Sequence, residues 1–451
     1  MNKVAEKNNI NKIINVTLCV ILFIVPLLIT PRKVYSIPYN ILKICVLLSC
    51  GLILLVCLIL KRKELNFDLI DKTLLAFYFF IILSTIFSIN ISKSIIGERN
   101  RYEGILTFTT YFLTYYCAKY NFCYNKSLKY FAITVVIVSS VIGILQYYNI
   151  FPLYYIFNIP FEPDFASSTF GNRNFFGSFL SICVPIFMAL YIIRRKKVYL
   201  VTSLISFWAM LVSMTRSSWM GLAVATVFGV IYIIKNFSKE ILKRTIHIVI
   251  GFAIIFVSVL IPPTFITDYL NVNTLNGRLT SLGQDFETLF GSGTEKGNLG
   301  SGRIRIWTLT LKEIAGAPLL GTGPDTLVDG LNKNVRNEHI QFMLDTHQYI
   351  DKAHNEYLQI AATIGIPALI IYLAFLAQIL SNQKNKLFKD NATFILIIPI
   401  ISYIVQAFFN ISTIGVAPIF WALLGLVQNQ TFKNDLCCDE NKLLDEKILK
   451  S

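Results

Sequence analysis

A chain of 451 residues with 55% hydrophobic and only 15% charged side chains falls outside the composition of water-soluble globular proteins. Its mean hydropathy is +0.60. The net charge of +15, from 41 Lys and Arg against 26 Asp and Glu, follows from basic residues gathered on one side of a membrane and calls for no nucleic-acid partner.

Runs of about 20 apolar residues cross a hydrocarbon core about 30 Å thick as a helix. Such runs begin near Ile13, Ile41, Leu74, Gly104, Leu128, Asn174, Val198, Ser218, Ile246, Tyr357, Thr393 and Gly415. That predicts about 12 spans, with the fourth, seventh and last the shortest. In lipid the backbone must satisfy its own hydrogen bonds, so the spans are helices and the chain reads as an all-α integral membrane protein. No small-residue cleavage pattern follows the first run, which reads as a retained anchor.

Lysine and arginine in the short connections set the orientation. Lys3, Lys7 and Lys12 precede the first run, and Lys61, Arg62 and Lys63 follow the second. Further clusters are Lys119 with Lys126 and Lys129, Arg194 to Lys197, Lys235 to Arg244, and Lys384 to Lys389. All fall on one side with both termini, which is the cytoplasm. The long interruption then lies outside. The predicted organisation is an N-terminal transmembrane bundle of about nine helices over 1–262, a large extracytoplasmic loop over 263–353, C-terminal transmembrane helices over 354–428 and a cytoplasmic tail over 429–451. The loop has no cysteine and is not stapled by disulfides. The cysteines within the spans act as small hydrophobes, and Cys437 with Cys438 reads as a reduced cytoplasmic pair.

The outer side is poor in lysine near the spans yet keeps Arg99, Arg101, Arg173, Arg216, Arg303 and Arg305. These residues are either interfacial anchors or parts of an anion site, since the guanidinium fork suits phosphate and carboxylate oxygens at any pH. Glu98 and Glu103 bracket Arg99 and Arg101, so these four charges are expected to neutralise one another locally. Glu162 and Asp164 have the spacing of a cation site but no third ligand, and read as a turn. Asn172-Arg173-Asn174 opens one span. Thr215-Arg216-Ser217-Ser218-Trp219 forms a tight outer turn, where an arginine is costly without an anionic partner.

Gly291 to Gly302 reads as a flexible connection. Beyond it Ile304, Trp307, Leu311 and Ile314 share a helical face with Arg303 in the first turn. The segment also alternates every second residue, so a strand stays open. Trp307, Pro318 and Gly321 favour a helix lying on the outer membrane surface. Gly321-Thr322-Gly323 is assigned to turn geometry. His339 and His347 lie in a stretch without periodicity and read as solvated loop residues. His354 stands where the chain re-enters the membrane, as a base active near pH 7 or as a cap. Glu356 either orients His354 or favours the start of the helix that follows. Nucleotide-binding and zinc-protease fingerprints are absent.

Four segments, in this order and topology, carry a resemblance: Gly171 to Phe176, Thr215 to Trp219, Gly302-Arg303 with Trp307 and Pro318 to Gly323, and His354 to Tyr357. Together the chain resembles the O-antigen ligase and O-antigen polymerase superfamily of integral membrane glycosyltransferases. The resemblance implies a C-class glycosyltransferase-like fold and an undecaprenyl-diphosphate-linked glycan donor. It also implies a saccharide or other hydroxyl acceptor, no metal and no cofactor. It suggests Arg216 and a loop arginine as diphosphate-binding groups, with Arg303 a closer match than Arg305, and His354 as the catalytic base. Arg173, Arg305, Asn172, Glu356 and Trp307 are candidate substrate contacts. Thr215 and Ser217 depart from the Ser-Arg-Gly pattern common in the family, which puts the tightness of that turn in question. A transporter or flippase of lipid-linked sugars is the alternative. It would place ionisable groups at mid-membrane and show paired interrupted helices, and the spans lack both.

Overall fold

The computed structural model describes residues 2–30, 39–62, 66–148, 150, 166–261, 275 and 302–436. In chain order the helices are α1 (Asn2–Cys19), α2 (Ile41–Leu60), α3 (Leu69–Ile86), α4 (Ile91–Ile96), α5 (Ile105–Tyr120), α6 (Lys126–Tyr147), α7 (Arg173–Arg194), α8 (Lys197–Val212), α9 (Arg216–Lys235), α10 (Lys239–Leu260), α11 (Arg303–Gly316), α12 (Leu327–Asn334), α13 (Arg336–Thr346), α14 (Glu356–Thr363), α15 (Ile366–Gln383), α16 (Asn391–Ala407) and α17 (Ala417–Leu426). No strand occurs among the described residues.

Among the described residues eight helices are long and apolar enough to cross a membrane, and three shorter apolar helices, Lys197–Val212, Asn391–Ala407 and Ala417–Leu426, accompany them. The helix starts follow local chemistry. Asp68 and Asp71 cap α3 reciprocally as a capping box, and Asp390 caps α16 through two backbone amides. The run expected to begin at Tyr357 is not one helix. It breaks into α14 and α15 at Gly365, whose φ of 108° is left-handed. A Cβ there would collide with the Leu319 carbonyl, so only glycine closes this corner.

At the centre lies α7, which packs on α8, α9 and α16, while α16 also packs on α9. Its membrane-length window is 78% buried, so its N-terminus is held among other elements. Around it α17 packs on α5, α15 on α3, and α6 on α8.

The second half of the long interruption folds onto one end of this bundle. Ile306 and Leu309 of α11, Leu327 and Leu331 of α12 and Phe342 of α13 form a separate small core with Ala361 and Ala362 of α14. The Gly321–Asp325 turn is wedged beneath. Thr322 N–H donates to the Ala362 carbonyl at 3.1 Å and Gly323 N–H to the Thr363 carbonyl at 2.8 Å. From the other side Ile89 N–H donates to the Thr322 carbonyl at 3.0 Å. Gly321 and Gly323 have φ of 62° and 113°, so turn geometry accounts for this Gly-x-Gly.

Candidate active site

Arg173, Arg216 and Arg303 are each the first residue of a helix, α7, α9 and α11. None of the three helices has an acidic residue in its first turn. A helix N-terminus carries about half a positive charge and favours anions by up to about 1 kcal/mol. An arginine there adds like-signed charge, so each of these starts is suited to an anion.

The starts of α7 and α9 are tied together. Thr215 Oγ1 donates to the Arg173 carbonyl at 2.9 Å. A Cβ on Gly177 would stand 2.6 Å from the Thr215 side chain, so glycine admits the approach. Residues 213–215 alone connect α8 to α9, and Met214 makes the bend with φ of 53°. Ser218 Oγ closes the turn by donating to the Thr215 carbonyl at 2.6 Å. Thr215 and Ser217 therefore leave the turn tight despite departing from the family pattern.

His354 lies on a segment tethered at its other positions. Asp351 accepts from Arg101 Nε at 2.6 Å and also from Nη2. Lys352 Nζ is buried against Glu103 Oε2 at 3.1 Å and Asp325 Oδ1 at 2.5 Å. Ala353 N–H donates to Gln359 Oε1 at 2.9 Å. Asn355 Oδ1 caps α14 through the Tyr357 and Leu358 amides, both at 3.0 Å. His354 itself takes φ of 50°, a conformation costing roughly 1 kcal/mol for a non-glycine residue. Its Nδ1 is buried and has no hydrogen-bond partner among the described residues.

Strain concentrates at this end of the molecule. Eight described non-glycine residues have positive φ, and Asn100, Tyr102, Ser168, Met214, Asp325 and His354 all belong to segments bordering these arginines and this histidine. Backbone held off its preferred conformation in this way clusters at functional sites.

Burial, and after it the charge of Arg303, push the His354 imidazole down to about 4, with Asp351 pulling up and Arg101 pulling down. At neutral pH the ring is therefore uncharged and can accept a proton. Burial would raise the Asp351 carboxyl, but the charge and hydrogen bond of Arg101 hold it below the usual range.

The two loop arginines part company. Arg303 lies close enough to act on His354, whereas Arg305 pairs with Asp345 at 2.8 Å and lies over the Phe342 ring at 5.2 Å. Trp307 packs on Phe408 and Phe409 beyond α16, with ring centroids at 5.6 and 6.1 Å, which docks α11 on the bundle as a helix. Its Nε1 is buried with no partner among the described residues. Asn172 Oδ1 caps α7 by accepting from Asn174 N–H at 2.8 Å. Glu356 turns into the bundle, where Tyr372 and Tyr403 hydroxyls donate to its two oxygens at 3.0 and 3.1 Å.

Three sequence expectations are corrected. Glu98, Arg101 and Glu103 do not neutralise one another; they pair with Lys93, Asp351 and Lys352 respectively. His339 is not solvated, being buried with Nδ1 2.9 Å from Asn332 Oδ1. It lies on α13, a helix where no periodicity was visible, and the exposed His347 caps that helix. The residues missed from sequence are Asp325, Asp351 and Lys352. Glu162, Asp164, Cys437, Cys438 and the Gly291–Ser301 stretch lie outside the described residues. No group of three or more His, Cys, Asp or Glu side chains placed to hold a metal ion occurs among the described residues.

Residues 201–373 match a family model described as O-Antigen ligase. The resemblance to the O-antigen ligase superfamily is borne out. The matched O-antigen ligase window runs from within α8 into α15 and includes Arg216, Arg303, Trp307 and His354. Arg173 and Arg101 fall outside it and are joined to it by the Thr215 and Asp351 contacts. The chain is also 23% identical over 321 residues to the "ComP-specific O-oligosaccharyltransferase" of Acinetobacter baylyi, covering 69% of this chain and 52% of that protein. It thus spans about half the length of the curated relative it matches.

Proposed function

We propose that this member of the O-antigen ligase superfamily transfers a glycan from a polyprenyl diphosphate carrier to an acceptor hydroxyl at the outer face of the cytoplasmic membrane. The carrying observation is the buried His354, its Nδ1 without a hydrogen-bond partner among the described residues, presented on a tethered segment whose neighbours are held by Arg101, Glu103 and Gln359. His354 removes the proton from the acceptor hydroxyl as that oxygen attacks the anomeric carbon. The bond from that carbon to the diphosphate breaks, and the leaving oxygen takes the electron pair. Arg216, Arg303 and Arg173 stabilise the developing charge from positions fixed before the reaction. Direct displacement inverts the anomeric carbon, and the charge stabilisation comes from arginine rather than a metal ion.

The same reading places both termini in the cytoplasm and counts twelve spans. The eight long apolar helices support a multi-pass membrane protein, and this reading takes α5 and the three shorter apolar helices as further spans. The relative named as an oligosaccharyltransferase supports glycan transfer, and the acceptor is a saccharide or another hydroxyl-bearing molecule.

Purified protein in detergent, supplied with a polyprenyl-diphosphate-linked glycan and an acceptor, tests the reading, because detergent allows no vectorial movement. Transfer by the wild type and its loss in Arg216→Ala are expected. A protein that moves the lipid-linked glycan across vesicles but never transfers it in detergent is a transporter, and the proposal fails.

A further inference from the structure

Arg101 stands outside the O-antigen ligase window and belongs to the segment before α5, yet it touches both halves of the site. Its guanidinium grips Asp351 through Nε and Nη2 and lies over the ring of Phe175, 5.1 Å from the centroid, in the first turn of α7. The backbone is shaped to deliver it. Asn100 and Tyr102, on either side, have φ of 70° and 57°, and Gly97 has φ of 103°. Arg101 N–H and Tyr102 N–H both donate to the Glu98 carbonyl at 2.9 Å. The next residue, Glu103, is locked to Lys352. Two constrained segments, 97–103 and 351–355, therefore meet through two adjacent ion pairs, with His354 two residues beyond the second.

We propose that Arg101 and Asp351 are paired positioning residues for His354. Asp351 supplies the negative charge that steadies the imidazolium formed when the acceptor gives up its proton. Arg101 offsets that charge while the site is empty. This rests on the base role of His354 proposed above and adds two residues that role did not name.

The charges acting on His354 are Arg303 from α11, Arg101 from the segment before α5, and Asp351 of its own segment. Lys352 of that segment is taken up by Glu103 and Asp325. Two arginines and one carboxylate leave the empty site net positive, which disfavours a protonated ring. A dianionic diphosphate arriving between the arginines reverses that balance and leaves Asp351 uncompensated. The base then strengthens only once the donor is in place. No atom beyond the proton of the transfer step is needed: it moves from the acceptor oxygen to the ring nitrogen.

The two members of the pair carry opposite charge, so their removal has opposite consequences. The chain has four histidines, so selective ring labelling gives few signals in nanodiscs, and the His354→Ala spectrum identifies the one that matters. In Asp351→Asn the His354 titration midpoint falls; in Arg101→Gln it rises, each by about one pH unit. In Asp351→Asn kcat falls more than the donor KM rises, and Asp351→Glu recovers part of the loss. If both variants move the midpoint in the same direction, or neither moves it, the pair is only a structural clamp and the inference is wrong. The titration needs no turnover, so this outcome is separate from the base role, which fails if His354→Ala still transfers glycan.

Discussion

Lys352 Nζ donates to Glu103 Oε2 at 3.1 Å, joining residues 249 positions apart. The same ammonium lies 2.5 Å from Asp325 Oδ1, and Asp325 Oδ2 accepts the Glu98 and Glu103 amides at 2.7 and 3.1 Å. Side-chain exposure is 2% for Lys352, 6% for Glu103 and 1% for Asp325. This buried cluster bolts the loop before α14 to the segment before α5. Removing one partner of a buried ion pair costs about 3–5 kcal/mol, because the remaining charge stays buried alone. Lys352→Met is expected to lower the apparent Tm of the detergent-solubilised protein sharply and abolish transfer. A thermal-shift series with Lys93→Ala, whose ion pairs are partly exposed, as the mild control checks it.

Arg303 and Arg305 are expected to separate cleanly. Arg303→Ala removes a charge acting on His354 and lowers transfer at least about 100-fold, the scale of losing a charge-stabilising donor. Arg305→Ala breaks a partly exposed pair with Asp345 worth at most about 1 kcal/mol, and keeps turnover within a few-fold. Initial rates of the two variants at saturating donor decide between these roles. Equal losses contradict the assignment.

The pH dependence follows from His354. As a base it must be uncharged, so activity is lost as pH falls through its pKa. In the free enzyme that lies at about 4, and a bound diphosphate raises it. The acid limb of kcat/KM for the donor, which reports the free enzyme, should therefore lie at lower pH than the acid limb of kcat, which reports the loaded one. Coincident limbs near 6.5 contradict the electrostatic picture.

Glu313 gives a separate handle on the loop. It is fully buried in α11, and burial raises its carboxyl from 4.5 to about 8, against a lowering by the Thr322 hydroxyl. The folded state thus holds a proton that the unfolded chain releases, and loop stability is present below about 4.5 and lost as pH rises towards 8. Glu313→Gln keeps the neutral form at all pH values. It should stabilise the protein by up to about 5 kcal/mol at pH 9 and change little at pH 5, as read by hydrogen exchange of α11 and α12.

The apolar runs were legible because a membrane helix declares itself by length alone, and most of their starts coincide with described helices to within a few residues, whereas α1, α3 and α10 begin well before the runs at Ile13, Leu74 and Ile246 because polar first turns precede the apolar stretch. The corner at Gly365 was not, since the apolar run continues through it and only the approach of Leu319 demands glycine. Arg216, Arg303 and His354 were readable as charged or titratable groups in an apolar chain. Arg101 was misread because Glu98 and Glu103 are its neighbours in sequence. The left-handed turns at Asn100 and Tyr102 instead send Arg101 towards Asp351 and Glu103 towards Lys352. Pairing across some 250 residues depends on how two loops fold together, and sequence spacing carries no trace of it. His339 was missed for a related reason: α13 buries one side against the loop's own small core, too narrow a stripe to show periodicity.

The most direct test of the central claim is the turnover of purified His354→Ala with a polyprenyl-diphosphate-linked glycan and acceptor in detergent, alongside its donor affinity. The account predicts donor binding within a few-fold of wild type and transfer reduced by at least about 100-fold, the contribution of a general base. Transfer at the wild-type rate by a folded, donor-binding His354→Ala protein would contradict it.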